Sequence, residues 1–343
     1  MRDEATPGSP TLVELLARHG MSRRGFLKFC ATASSLMALP PSATAAVARA
    51  LEHASRPSVI WLSLQECTGC TESLTRSDAP SFESLILRYL SLDYHHTLQA
   101  ASGSAAERAR LEAMRRHAGR YLLVVDGSLP LGDAGYCTIA GTSAETLLRE
   151  MAEGAAAVIA VGSCASFGGI PAAEPNPTGA RAISELLPGR TVVNVSGCPP
   201  IPVVISGVLM HYLAFGSLPE LDDLGRPLAF YGNTIHQRCP RRGFYDKEQF
   251  AEAFDDEGAR KGWCLLKLGC KGPYTHNACP TLRWNQGTSF PILAGHGCIG
   301  CSEPGFWDDG PLYEPLFEGY LSAWWWWLQH PGGKRATPPH PAR

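Results

Sequence analysis

Twelve cysteines are spread along this 343-residue chain, and their spacing sorts most of them into groups that could bind metal. The first group is Cys67-Thr-Gly-Cys70 with two single residues, Cys164 in Gly162-Ser-Cys164 and Cys198 in Gly197-Cys-Pro-Pro200. Four soft thiolates suit an iron-sulfur cubane, whose irons each take one of them. Zinc accepts the same four ligands, but structural zinc sites usually pair two short Cys-x-x-Cys units in a small module, not one pair and two singles across about 130 residues. Disulfide pairing is the third option, and a chain of this length needs no such staples to form a core. The second group is His236-Gln-Arg-Cys239 with Cys264 and Cys270. An imidazole in place of one thiolate makes a cluster less negative and raises its potential, which suits a terminal electron relay. The third group is Cys279 with Cys298-Ile-Gly-Cys301, with Pro291 and no cysteine between them. Three ligands leave one cubane corner unheld, which favours a three-iron cluster. Cys30 lies in an N-terminal segment of different character, and Cys137 has no evident partner and reads as a small buried hydrophobe.

The elements that must position these ligands follow from periodicity. Val59 to Leu64, Tyr121 to Val125, Ala156 to Val161 and Thr191 to Val195 are near-continuous apolar runs of the kind that buried parallel strands show. Between them the pattern is helical. Ser81 can cap a helix with Phe82, Leu85, Ile86, Tyr89 and Leu90 on one face, and Thr142-Ser-Ala-Glu145 reads as a capping box ahead of Leu147, Leu148 and Met151. Pro202 suits the first turn of a helix carrying Val204, Ile205, Val208 and Leu209. This alternation predicts a doubly wound α/β sheet, in which ligands gather beyond the carboxyl ends of the strands. Three of the predicted strands run directly into first-group cysteines, so four thiols are expected at one sheet edge. After about Gly232 the periodicity fades, apart from a possible helix from Lys247 to Arg260. Residues 332–343 are Pro, Gly and basic residues and read as disordered.

Composition narrows the function further. A net charge of -2 with 18% charged residues leaves no electrostatic footprint for nucleic acid. Gly and Pro make up 35 and 27 residues, and they cluster in the cysteine-bearing regions, as expected of loops fitted around a bound group. Ser22-Arg23-Arg24-Gly25-Phe26-Leu27-Lys28, a short apolar run to Leu39 and the small-residue site Ala43-Thr44-Ala45 read as a twin-arginine export signal, an address rather than structure, with cleavage between about Ala45 and Ala48. That route carries folded, metal-loaded proteins, so cysteines in this exported chain need not be disulfide-bonded. No later stretch reaches the roughly 20 apolar residues of a membrane helix. Trp324 to Trp327 could meet a lipid interface, a protein partner or a mixed surface and core environment.

The motifs Gln65-Glu-Cys-Thr-Gly-Cys-Thr-Glu-Ser73, Gly162-Ser-Cys164, Gly197-Cys-Pro-Pro200, His236-Gln-Arg-Cys239 and Gly295-His-Gly-Cys-Ile-Gly-Cys-Ser-Glu-Pro304 closely resemble those of the small subunit of nickel-iron uptake hydrogenases. The resemblance spans the leader and nearly everything from Ser58 to about Pro315. It implies a signal peptide over 1–46, a flavodoxin-like doubly wound parallel sheet over 56–232, a smaller, mostly irregular iron-sulfur domain over 233–318, and an aromatic segment with a disordered tail over 319–343. It implies a proximal 4Fe-4S cluster on Cys67, Cys70, Cys164 and Cys198. It also implies a medial 3Fe-4S cluster on Cys279, Cys298 and Cys301 and a distal 4Fe-4S cluster on His236, Cys239, Cys264 and Cys270.

By the same resemblance, dihydrogen is split on a separate nickel-iron large subunit. This chain, without catalytic residues of its own, passes the electrons to a cytochrome or other external acceptor. The implied location is the periplasm or the outer face of the cytoplasmic membrane, with membrane contact peripheral at most. Gly69 and Gly169 stand where oxygen-tolerant members carry extra cysteines, which predicts an ordinary proximal cluster. Asp126 stands where Glu is expected, and Glu66 and Thr68 either line the subunit interface or are surface hydrogen-bonding groups. Competing readings are an iron-sulfur electron-transfer subunit of another exported redox complex, a chain whose two Cys-x-x-Cys pairs bind nickel, and a hydrogen sensor.

Overall fold

The computed structural model describes residues 23–36, 39–52 and 56–313, except 79, 309 and 311. At its centre is a parallel sheet of β1 (Ser58–Ser63), β2 (Ser91–His95), β3 (Tyr121–Asp126), β4 (Ala155–Val161) and β5 (Val192–Val195). The spatial order is β2-β1-β3-β4-β5, the flavodoxin-like order of a doubly wound fold. Side chains alternate between two cores. Ile60, Leu62, Leu123, Val125 and Val158 face Ala106 and Ala113 of α4 (Gly103–Arg116) and Leu147, Leu148 and Met151 of α5 (Ala144–Glu153). Val59, Trp61, Leu122, Val124, Ile159 and Val193 face Val204, Ile205, Val208 and Leu209 of α7 (Pro202–Phe215). With both faces covered, β1, β3 and β5 are buried throughout, which is why they read as unbroken apolar runs.

Several local expectations shift. β2 carries the polar pattern Ser-Leu-Asp-Tyr-His because it lies at the sheet edge, half-exposed over its first three residues, and so gives no continuous apolar signal. The expected helix after Ser81 is a three-residue α-turn, Phe82–Ser84, that widens into a π-turn over Leu85–Tyr89; Ser81 does cap it, accepting from the Ser84 amide. The cap of α5 is Ser143, one residue later than expected. Its Oγ accepts from the Thr146 N–H at 3.3 Å, while Glu145 pairs with Arg149 at 3.1 Å instead of closing a capping box. Over 247–260 only Glu257–Arg260 is helical. Glu248 takes a positive φ of 56°, which a continuous helix forbids, and Asp256 caps the single turn that does form.

The N-terminal stretch read as an address is also structured. α1 (Arg23–Leu36) and α2 (Thr44–Glu52) pack on α7, with Cys30, Val47 and Leu51 fully buried in the same core. α7 is apolar all round because the sheet and these helices both bury it. Pro202 opens it and Gly216, at φ +63°, closes it in the left-handed conformation. Beyond Gly232 the chain forms only short helical turns and isolated bridges among the described residues. No helix of the described residues is long and apolar enough to cross a membrane. Trp324 to Trp327 and the tail over 332–343 lie outside the described residues.

A buried polar chain runs from the sheet edge towards the strand ends. His95 Nδ1 accepts from the Thr97 N–H at 3.1 Å, so the ring proton sits on Nε2, 3.3 Å from Thr71 Oγ1, and that hydroxyl donates to Asp126 Oδ2 at 3.4 Å. Burial against Trp61, 5.1 Å away ring to ring, lowers the His95 pKa from 6.5 to about 4, with the neighbouring His96 adding to the effect. Between those values the unfolded chain takes up a proton that the folded chain refuses, so stability declines as pH falls from 6.5 towards 4. The decline attributable to this ring is at most about 3 kcal/mol. The Asp126 carboxyl, raised to about 7 by burial, works in the opposite sense over the same range, so the loss is read as a difference: between pH 7 and pH 5 the anaerobically purified protein should lose stability relative to its His95→Gln variant in denaturant unfolding.

Candidate metal centres

The first-group cysteines leave the carboxyl edge of the sheet. β1 leads through a loop carrying Cys67 into α3 (Gly69–Thr75), which carries Cys70. β4 leads into α6 (Gly162–Phe167), which carries Cys164, and β5 leads into the turn holding Cys198. Two glycines permit the convergence. At Gly162, with φ +91°, a Cβ would collide with Cys70 Sγ. At Gly169, with φ +62°, a Cβ would lie 2.6 Å from both Cα and Sγ of Cys164, so this backbone accepts no side chain there. Burial raises the Cys70 pKa well above its usual value, and Asp126, Cys164, Cys198 and Cys67 push it further in the same direction. Cys164 is pushed up to about 12 by burial and then by Cys198 and Cys67.

Asp126, at the end of β3, is fully buried. Its pKa rises to about 7, chiefly by burial, with Glu66 adding repulsion. Glu66 and Thr68 form a 3.3 Å hydrogen bond at the surface. Cys137 lies apart, half-buried against the sheet's other core.

The second group surrounds a cavity lined by His236, Cys239, Cys264 and Cys270 together with Ile235, Leu265 and Ile292. The Arg241 N–H donates to Cys239 Sγ at 3.4 Å, and Gly272 lies against Cys270, where a Cβ would be 3.3 Å from the sulfur. His236 stands edge-on to Tyr245 at 4.5 Å. Burial, then Arg242, lowers its pKa to about 4, which keeps the imidazole neutral and able to ligate at neutral pH. In the third group, Cys279 opens a short helical turn, and burial with repulsion from Cys301 and Cys298 raises its pKa well above the usual range. The Gly300 N–H donates to Cys298 Sγ at 3.4 Å.

The third group, last in the chain, sits between the other two. Towards the first, Ser163 Oγ donates to the Cys301 carbonyl and Ser196 Oγ donates to the Ser302 carbonyl at 2.8 Å. Towards the second, the Cys298 N–H donates to Cys270 Sγ at 3.3 Å and the Lys271 N–H to the Cys298 carbonyl at 2.7 Å. Sequence reasoning gave these serines no role, nor the buried Arg226 and Glu303 beside the third group, although Ser163 and Glu303 stand within the quoted motifs. Only the strand-end position of Ser163 and Ser196, next to the cysteines, could have signalled them.

No two of the cysteines are joined by a disulfide. No three His, Cys, Asp or Glu side chains among the described residues gather tightly enough for a single metal ion. Zinc, with bonds of about 2.3 Å to sulfur, would draw its four thiolates closer together than the corners of a cluster do. The donor set therefore fits iron-sulfur clusters: ten thiols and one imidazole in three groups, Cys67 and Cys198 exposed and the rest wholly or partly buried, with backbone N–H groups aimed at sulfur in the second and third groups.

A flavodoxin-like sheet with thiols at its carboxyl edge, followed by a loop domain bearing two further ligand groups, defines the iron-sulfur subunit of a redox complex. Two family models match: the C-terminal part of the NiFe/NiFeSe hydrogenase small subunit over residues 231–314, and the 20 Kd subunit of NADH ubiquinone oxidoreductase over residues 67–212. The chain is 50% identical over 307 residues to the uptake hydrogenase small subunit of Azotobacter vinelandii, covering 89% of this chain and 86% of that one. It is 48% identical over 306 residues to the quinone-reactive Ni/Fe-hydrogenase small chain of Wolinella succinogenes, covering 88% and 86%. Among solved structures, the [NiFeSe]-hydrogenase of Dm. baculatum aligns with a TM-score of 0.71 at 36% identity, over 77% of this chain and all of that one. The actinobacterial-type NiFe-hydrogenase of Ralstonia eutropha H16 aligns with a TM-score of 0.70 at 28% identity, over 78% and 84%. The chain belongs to the nickel-iron hydrogenase small-subunit family.

Gly162→Ala places a methyl group against Cys70 Sγ on a backbone that disfavours any side chain, at a cost of about 1–2 kcal/mol before the clash is counted. The variant should fold, yet lose iron and acid-labile sulfide equivalent to one cluster. Metal and sulfide analysis of the purified protein checks this.

Proposed function

We propose that this chain relays electrons from dihydrogen oxidation on its nickel-iron large subunit to an external acceptor such as a cytochrome. Cys67, Cys70, Cys164 and Cys198 would hold a proximal 4Fe-4S cluster, and Cys279, Cys298 and Cys301 a medial 3Fe-4S cluster. His236, Cys239, Cys264 and Cys270 would hold a distal 4Fe-4S cluster. When bound, such clusters supply one-electron carriers whose potentials respond to burial and to hydrogen bonds at sulfur. The observation that carries this reading is the position of the third group, hydrogen-bonded on one side to the loops of the first and on the other to a ligand of the second. A chain that only stored iron would need no such line.

The residues divide the work. The sheet-end loops hold the first group where α3 and α6 begin, Gly162 and Gly169 keep side chains out of it, and the neutral His236 imidazole stands ready as the one nitrogen ligand. Residues 1–46 act as a twin-arginine leader on this reading, 56–232 form the sheet domain and 233–318 the cluster domain. The assembled protein works in the periplasm or on the outer face of the cytoplasmic membrane.

Anaerobic purification of the tagged chain with its partner, followed by hydrogen-dependent reduction of a viologen dye, tests the relay. Activity with a nickel-containing partner is expected. Full iron loading and a well-occupied partner without activity would instead favour an electron-transfer subunit of another complex. The oxidised enzyme should also give the paramagnetic resonance signal of a three-iron cluster. Replacing both arginines of the leader, as R23K/R24K, should abolish export, read as loss of the protein from the periplasmic fraction and its accumulation in the cytoplasm.

A further inference from the structure

The third ligand group is held by a buried ionic cluster of which only Glu303 falls within a cysteine motif, while Arg226 and Asp222 lie far from any. Arg226 lies in the turn after α7, its side chain 3% exposed. Its Nε donates to Asp222 Oδ2 at 2.8 Å. Its Nη1 donates to Glu303 Oε1 at 2.9 Å and to the Ser302 carbonyl at 3.3 Å, one residue beyond Cys301. The same Glu303 oxygen accepts from the His276 N–H at 2.6 Å, three residues before Cys279. One carboxylate oxygen thus ties both ligand-bearing segments of the third group to a guanidinium rooted in the sheet domain, where the Asn194 N–H of β5 donates to the Gly225 carbonyl at 2.8 Å. The guanidinium lies over the Tyr231 ring at 5.4 Å, and Tyr231 is within electrostatic reach of Cys279 and Cys301.

We propose that Arg226 and Glu303 are positioning residues that set the potential of the medial cluster in opposite directions, a proposal that rests on the three-iron reading of that site. Reduction adds one negative charge to the cluster. A buried guanidinium favours that added charge and a buried carboxylate opposes it, and in a water-poor interior both effects exceed their strength at the surface. Glu303 is 6% exposed, so neither charge is screened by solvent. Together the two residues hold the Cys298–Cys301 loop in place and bias the middle carrier between its neighbours.

The test is a redox titration of the complete two-subunit enzyme, following the three-iron paramagnetic resonance signal of the oxidised state as it disappears on reduction. Arg226→Met should lower the medial midpoint, and Glu303→Gln, whose amide oxygen can still accept from Arg226 and His276, should raise it. Each is expected to change the reduction equilibrium about tenfold, about 59 mV for one electron. The signals of the other two clusters should move less. Midpoints that stay fixed in both variants, or move in the same direction, would overturn the proposal and leave the pair a structural tie. If Arg226→Met fails to assemble, Glu303→Gln decides alone, since an unmoved midpoint in that loaded variant refutes the charge effect. Absence of the three-iron signal from the unsubstituted enzyme would overturn the site reading itself, and with it this proposal, before any variant is compared.

Discussion

Thiols that must share a buried site repel one another once ionised, and the rest of this molecule is arranged around that constraint. At Cys70 burial is the largest force against ionisation, followed by Asp126 and the neighbouring sulfurs. The third group behaves in the same way, with Cys298 and Cys301 opposing Cys279. Bound cations reverse the balance, so the apoprotein carries sites whose charged form is stable only with metal present. Buried side-chain cations stand near the second and third groups, Arg226, Arg241 and Lys271 among them. Backbone N–H groups of Arg241, Gly300 and Cys298 also point at sulfur, donors that cannot move away or be titrated. At the second group the Arg241 guanidinium adds charge to these dipoles, since the residue is 8% exposed and within electrostatic reach of Cys239, Cys264 and Cys270.

The same loops that gather ligands also join the groups to one another. Ser163 illustrates the economy. Its amide donates to the Gly197 carbonyl at 2.9 Å and its hydroxyl accepts from the Gly197 N–H at 3.0 Å, locking the β4 and β5 loops together, while that hydroxyl donates onward to the Cys301 carbonyl. Cys270 does the equivalent at the far side, ligand candidate and acceptor of the Cys298 N–H at once. The loop-rich part of the chain beyond Gly232 has little regular structure to hold it, so these cross-links and the Arg226 cluster do what helix packing does in the sheet domain. A shift of one group would be felt by the next.

Much of this was legible in the chain because buried parallel strands and ligand spacing leave strong one-dimensional signals. β1, β3, β4 and β5 can be read from apolar runs to within a residue or two, and the carboxyl-edge rule then brings four cysteines to one place. β2 was not legible, since Ser91, Leu92 and Asp93 have the composition of a loop and only an edge position makes them a strand. The widening at Leu85–Tyr89 and the one-residue shift of the cap to Ser143 depend on side-chain competition within single turns, below the resolution of periodicity. Arg226 and Glu303 were hidden for another reason. They lie 77 residues apart, and nothing local marks either as buried.

α7 shows how two levels of reading can pull against each other. Its fourteen residues offer no polar stripe, which in an isolated domain would mean burial on every side. The sheet accounts for one side only. α1 and α2 account for another, placing Cys30, Val47 and Leu51 in the core that α7 shares with Trp61 and Val193. Apolar side chains of α1 and α2 lose exposed surface against α7 as those of any other packed element do. The small residues proposed for cleavage, Ala45 to Ala48, fall inside α2 rather than in a linker, so cutting there would remove α1 and the first turn of α2 while leaving Leu51 attached. The cover on α7 is therefore divided by that boundary, part belonging to the segment read as an address and part to the chain that would remain.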